Sequence, residues 1–172
     1  MIRSIRRIIT CNDERGMSYG LADGPAKNVI GGLTEIWMTG RDLPTQSSTE
    51  DLGLHSKQLY RREGGTVFRF FQIPPASKMA HLSTAEQQKL WADLFLSMDA
   101  GDAQPDSSRD PGMHKTPTTD YIILLPGKIT LVLDKTEHDL EPFDAVVQRG
   151  TNHAWVNRGN EDALLMAVLV TQ

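Results

Sequence analysis

Cysteine is nearly absent. The 172 residues contain one, Cys11, which excludes an internal disulfide and leaves too few thiolates for a cysteine zinc cluster. No surrounding motif marks Cys11 as a nucleophile. Long apolar runs are missing too. The longest, Ala163 to Val170, is far short of the ~20 residues that cross a bilayer. Met1–Thr10 carries Arg3, Arg6 and Arg7 with no apolar stretch behind them, so no secretory leader is expected. There is no excess of positive charge: 18 Lys+Arg stand against 22 Asp+Glu, a net charge of -4. With no basic run, nucleic acid is excluded as the main partner. Together these absences lead to the expectation of a cytoplasmic protein with neither membrane nor nucleic acid as partner.

What is present suits one domain over residues 1–172. A chain of this length buries roughly 70% of its unfolded surface, so it needs no covalent staple. Residues 1–80 read as strands and a loop, 83–99 as a helix, and 113–172 as a strand-rich core. Ile5–Thr10, Leu33–Thr39 and Gly65–Ile73 are rich in β-branched and aromatic residues and read as strands. Asp23-Gly24-Pro25 and Gly31-Gly32 read as turns. Arg41–Glu63 is mostly polar, with Gln46-Ser47-Ser48-Thr49 near its middle, and reads as a surface excursion. Ser83-Thr84-Ala85-Glu86 has the pattern of a capping box. Behind it, Leu90, Trp91, Leu94, Phe95 and Met98 recur at helical spacing over roughly Thr84 to Met98. From Asp120 onward, short strands alternate with turns every ~8–12 residues, the mark of a sandwich or barrel.

One segment, Met113 to Asn157, is chemically specific. It contains His114-Lys115-Thr116, then Asp120, then Gly127, and later Gly150-Thr151-Asn152-His153-Ala154-Trp155-Val156-Asn157. This resembles the two signature motifs of the cupin superfamily. The first is His-x-His, three or four residues, Glu, six residues, Gly; the second ends in Gly-x-x-His-x-x-x-Asn. Spacing is kept throughout, and a hairpin around Asp134–Glu137 separates the motifs. Four positions depart: Thr116 replaces the second His, Asp120 the Glu, Pro142 a leading Gly and Gln148 a Pro. The resemblance implies an all-β antiparallel jelly-roll barrel around a small-molecule pocket, with one amphipathic helix before the first motif. It also implies a homodimer, with Ile5–Thr10 as a candidate exchanged or edge strand.

Alternation along a strand would put His114, Thr116, Thr118, Asp120, Ile122 and Leu124 on one face and Tyr121 and Ile123 on the other. His153, Trp155 and Asn157 would likewise share a face. The inward row starts polar and becomes apolar, as a barrel mouth that binds ligands would. Three readings stay open. In one, His114, Asp120 and His153 hold a divalent metal (Fe, Mn, Zn or Ni), since two imidazoles and a carboxylate suit a non-heme centre with open positions. Such an enzyme would act on an organic acid or ring compound as a dioxygenase, decarboxylase, isomerase or dehydratase. In the second, the same three residues do metal-free acid–base work, Asp120 orienting an imidazole. In the third, the barrel binds a small molecule without turning it over.

Candidate substrate-binding residues are Thr116, Thr118, Arg69, Trp155 and Asn157. Arg69 interrupts an apolar strand and either faces a ligand or lies outside with its stem packed. Trp37 and Trp155 either line a pocket or fill the core. The helical stripe packs on the barrel, or serves as a lid or partner surface.

Overall fold

The computed structural model describes residues 3–44, 48–55 and 57–171. Chain order gives β1 (Arg6–Asn12), β2 (Ser18–Pro25), β3 (Val29–Ile30), β4 (Leu33–Thr39) and β5 (Gly65–Ile73). A helix, α1 (Thr84–Ser97), follows. Then come β6 (Thr118–Leu124), β7 (Ile129–Leu133), β8 (Glu137–Leu140), β9 (Ala145–Arg149), β10 (His153–Val156) and β11 (Ala163–Thr171).

These strands form the expected antiparallel jelly roll. The larger sheet has the order β3-β4-β5-β11-β6-β9 and the smaller β10-β7-β8. β1 and β2 make a separate ribbon. Long-range pairing dominates: β11, the last strand, lies between β5 and β6. At the centre Val67, Leu124 and Leu165 are fully buried and share one cluster with Leu131 and Leu140 of the smaller sheet. Burying side chains of this size stabilises the fold by about 1.5–3 kcal/mol each.

The alternation expected in β6 holds. Thr118, Asp120, Ile122 and Leu124 are buried, whereas Tyr121 is 54% exposed. The capping box is formed as well. The Ser83 hydroxyl accepts from the Glu86 amide, and the Glu86 carboxylate accepts from the Ser83 amide at 2.8 Å. The box thus satisfies two of the amides left free at the start of α1.

Two readings need correction. Asp23-Gly24-Pro25 is the end of β2 and not a turn: Asp23 sits opposite Ile8 and takes the Arg6 guanidinium at 2.7 Å. Ladder pairing with β1 continues through Gly24 and Pro25 and keeps the segment extended. Arg41–Glu63 is no mere surface excursion, although Gln46-Ser47 lie outside the described residues. Leu52, Leu59 and Tyr60 are buried, and buried Arg61 is ion-paired with Asp42. Isolated apolar residues in a polar stretch carry no periodicity, so their burial leaves no trace in the pattern. The helical stripe also divides. Phe95 and Met98 are buried and Trp91 and Leu94 half-buried, while Leu90 is half exposed.

Candidate active site

His114 and His153 are joined by a two-residue antiparallel bridge outside the main ladders. Each amide donates to the other's carbonyl, at 2.8 and 2.9 Å. The bridge puts the rings side by side, centroids 4.2 Å apart. His114 Nδ1 is 2.9 Å from the Gly112 carbonyl, and His153 Nδ1 is 2.9 Å from the Thr151 carbonyl. A carbonyl only accepts, so Nδ1 carries the hydrogen in both rings and Nε2 keeps its lone pair. Burial holds the pKa of His114 below the ordinary value for histidine. It pushes His153 down to about 3, with repulsion from His114 adding to the effect. Both imidazoles are therefore neutral at physiological pH.

Asp120 lines the same cavity from β6. Its Oδ1 is buried with no hydrogen-bond partner. Desolvation raises its pKa to about 6, against the opposing pull of the Thr118 hydroxyl and the Arg69 charge. Arg69 is 2% exposed and also lines the cavity, which decides the alternative left open by the sequence. It lies directly across the β4–β5 ladder from Glu35 and pairs with it at 3.0 Å. It also donates to the Gln58 carbonyl at 2.8 Å, while its Nε has no hydrogen-bond partner.

The cavity has a volume of about 120 Å³. His114, His153, Asp120 and Arg69 form its polar part, and Phe71, Trp91, Phe95 and Trp155 its aromatic part. Five of the residues singled out in the sequence, His114, Asp120, His153, Arg69 and Trp155, therefore meet in one place. Three others do not line the cavity. The buried Thr116 and Thr118 hydroxyls lie 2.8 Å apart and are hydrogen-bonded to each other. Asn157 ties a turn: it donates to the carbonyls of Ile73 and Glu161 at 2.9 and 2.7 Å and accepts from the Gly159 amide at 2.9 Å. Trp37 lines a separate groove with Arg7 and Phe68.

The motif glycines have a steric reason. Gly127 has φ +99°, and a Cβ there would lie 2.7 Å from Ala163 Cα. Gly150 has φ +59° and lies close to the Thr116 carbonyl. Both conformations disfavour residues with a side chain.

With this geometry in view, the chain can be set beside known proteins. Residues 102–169 match the cupin domain family. The chain is 51% identical over 167 residues to phomopsin biosynthesis cluster protein D of Diaporthe leptostromiformis, covering 92% of this chain and 74% of that protein. It is 30% identical, with the same coverage, to phomopsin biosynthesis cluster protein C' of that organism.

The chain belongs to the cupin family. Among solved structures it resembles a cupin 2 conserved barrel domain protein from Salinispora arenicola. Identity is 18% over 61% of this chain and 62% of that one, with a TM-score of 0.38.

Two of the three candidate metal ligands have the chemistry for it. The imidazoles of His114 and His153 present Nε2 lone pairs, and their Nδ1–H groups are fixed by backbone carbonyls, as metal-binding histidines usually are. Asp120 lines the cavity with them, and among the described residues no three His, Cys, Asp or Glu side chains converge closely enough to hold an ion. Thr116, where the family has its second histidine, contributes a hydroxyl already bonded to Thr118.

Proposed function

We propose that this cupin is an enzyme that moves a proton on a small organic substrate held in the barrel cavity. Asp120 is the proton carrier, and the paired imidazoles are neutral hydrogen-bond acceptors. The observation that carries this reading is the shared cavity, lined by a buried carboxyl with an unpartnered oxygen and by two neutral imidazoles. A general acid–base works best when its pKa lies near the working pH, and about 6 meets that condition. Arg69, fixed by Glu35 and the Gln58 carbonyl, supplies a permanent positive charge at the same wall. The curated relatives are named for a biosynthesis cluster, which favours a step in small-molecule biosynthesis. Isomerisation and dehydration need only such proton transfers.

The test is turnover of candidate organic acids and ring compounds followed by mass spectrometry. A substrate so found should give a rate profile with an ionisation near pH 6 that disappears in Asp120→Asn. A profile unchanged by that substitution would contradict the assignment.

A second reading is a divalent ion held by His114 and His153, favoured by the carbonyl-anchored Nδ1–H groups. Elemental analysis of tag-free protein separates the two: stoichiometric metal, lost in His153→Ala, supports the ion. We further propose that the chain pairs with a second copy through β1, which sedimentation analysis would test.

A further inference from the structure

The reading above assigns chemistry to strand residues and leaves α1 without a role. Yet α1 supplies part of the cavity wall through Trp91, Leu94 and Phe95, and it precedes the region that matches the cupin family. Its rings belong to a continuous series. Trp91 lies 6.0 Å from Phe95, and Phe95 lies 4.9 Å from His114. His114 lies 4.2 Å from His153, and His153 is edge-on to Trp155 at 5.9 Å. Trp155 lies 6.1 Å from Phe71. All six rings line the cavity. The chain has only three Trp and five Phe, so placing two of each around one small space is a marked concentration.

Gly112 shows that the place of Trp91 is built in. A Cβ on Gly112 would lie 3.2 Å from Trp91 Cε2 and 3.3 Å from Cζ2, so the indole would have to shift by a few tenths of an ångström to admit it. The bare backbone therefore gives the ring its seat. The carbonyl of the same residue accepts the His114 Nδ1–H. One glycine thus sets both the helix-borne wall and the imidazole at the polar part of the cavity.

We propose that Trp91 is the specificity-determining residue of this site and that the substrate is a single planar ring carrying a polar substituent. The proposal deepens the enzymatic reading by naming its substrate class. Aromatic walls favour a flat ring over a puckered one of the same size, because ring quadrupoles prefer stacked and edge-to-face neighbours. The volume, about 120 Å³, is near that of the ~150 Å³ apolar cavity known to admit benzene. A single ring matches that volume more closely than a fused pair.

The experiment is calorimetric titration of the full chain with phenol, cyclohexanol and 2-naphthol. Phenol should bind roughly three- to tenfold more tightly than cyclohexanol, the range of one or two aromatic contacts, and 2-naphthol should be excluded. Trp91→Leu, with helicity checked by circular dichroism, should keep cyclohexanol binding and lose the preference for phenol. Trp91→Ala should admit 2-naphthol. A phenol-to-cyclohexanol ratio unchanged in Trp91→Leu, or no binding of phenol by the folded chain, would overturn the proposal. Ring preference in a chain with no Asp120-dependent turnover would defeat the enzymatic reading and leave the planar ring as a ligand selected by Trp91, not a substrate.

Discussion

His114 and His153 exchange backbone hydrogen bonds at 2.8 and 2.9 Å, so their rings are held 4.2 Å apart by the main chain and not by side-chain packing alone. Each ring is fixed a second time by its Nδ1–H on a carbonyl two residues earlier. Two neutral imidazoles at this distance cannot both take a proton without strong mutual repulsion. This relationship sets the acid–base character of the cavity.

The first prediction concerns Asp120. Its pKa is raised in the folded chain to about 6 from 3.8, so the folded state binds the proton more tightly than the unfolded one. Stability attributable to Asp120 is therefore greatest at acid pH and falls as pH rises between about 4 and 6. Asp120→Asn removes this penalty. Urea denaturation should find the variant more stable by about 1–3 kcal/mol at pH 7.5, with the difference gone by pH 4.

His153 has the opposite sign. Its folded pKa is depressed to about 3 from 6.5, so its contribution is present above pH 6.5 and is lost as pH falls toward 3. In His153→Gln, the decline of stability between pH 6.5 and 4.5 should be shallower than in the unsubstituted chain. Asp120 offsets part of the decline over the same range, so the effect should be clearest with Asn at position 120 in both proteins.

The Arg69–Glu35 pair is fully enclosed, with both side chains 2% exposed. Arg69→Met leaves Glu35 as a buried charge without its cation. Thermal or urea denaturation should register a loss of about 3–5 kcal/mol. Arg69→Met combined with Glu35→Leu should regain most of it, since an apolar pair replaces an ion pair at little net cost.

Gly127→Ala combines a positive φ of +99° with a Cβ 2.7 Å from Ala163 Cα. The neighbour is backbone, which cannot swing aside. The expected loss is at least about 1–3 kcal/mol by denaturant titration. A neutral result would show that the turn between β6 and β7 relaxes freely.

Much of this was legible in the residues, and the division has physical causes. Strand identity in β6, β10 and β11 followed from alternation and β-branched content, and α1 followed from its capping box. His114, Asp120 and His153 were readable because motif spacing is local. Glu35 was not, because its link to Arg69 depends on the β4–β5 register, which includes a bulge between Glu35 and Trp37. Trp91 was visible only as one member of a packing stripe. Which ring of a stripe faces a cavity depends on how the helix is seated, and Gly112, which provides the seat, lies in a loop without a pattern. Thr116 and Asn157 lie just outside β6 and β10, so strand alternation could not place them, and the hydrogen bonds that turn them and Thr118 to neighbouring groups leave no mark in the pattern.

The account rests on a cavity that holds Asp120 near neutrality and both imidazoles uncharged. Site-resolved NMR titration tests this directly, with ¹³C observed at the aspartate carboxyls and ¹⁵N at the histidine rings. Asp120→Asn and His153→Gln would provide the assignments. The predicted result is an Asp120 midpoint near 6, with His153 a neutral Nδ1–H tautomer until about pH 3 and His114 titrating below the ordinary histidine value. An Asp120 midpoint below about 4, together with either imidazole titrating near the ordinary histidine value of about 6.5, would contradict it.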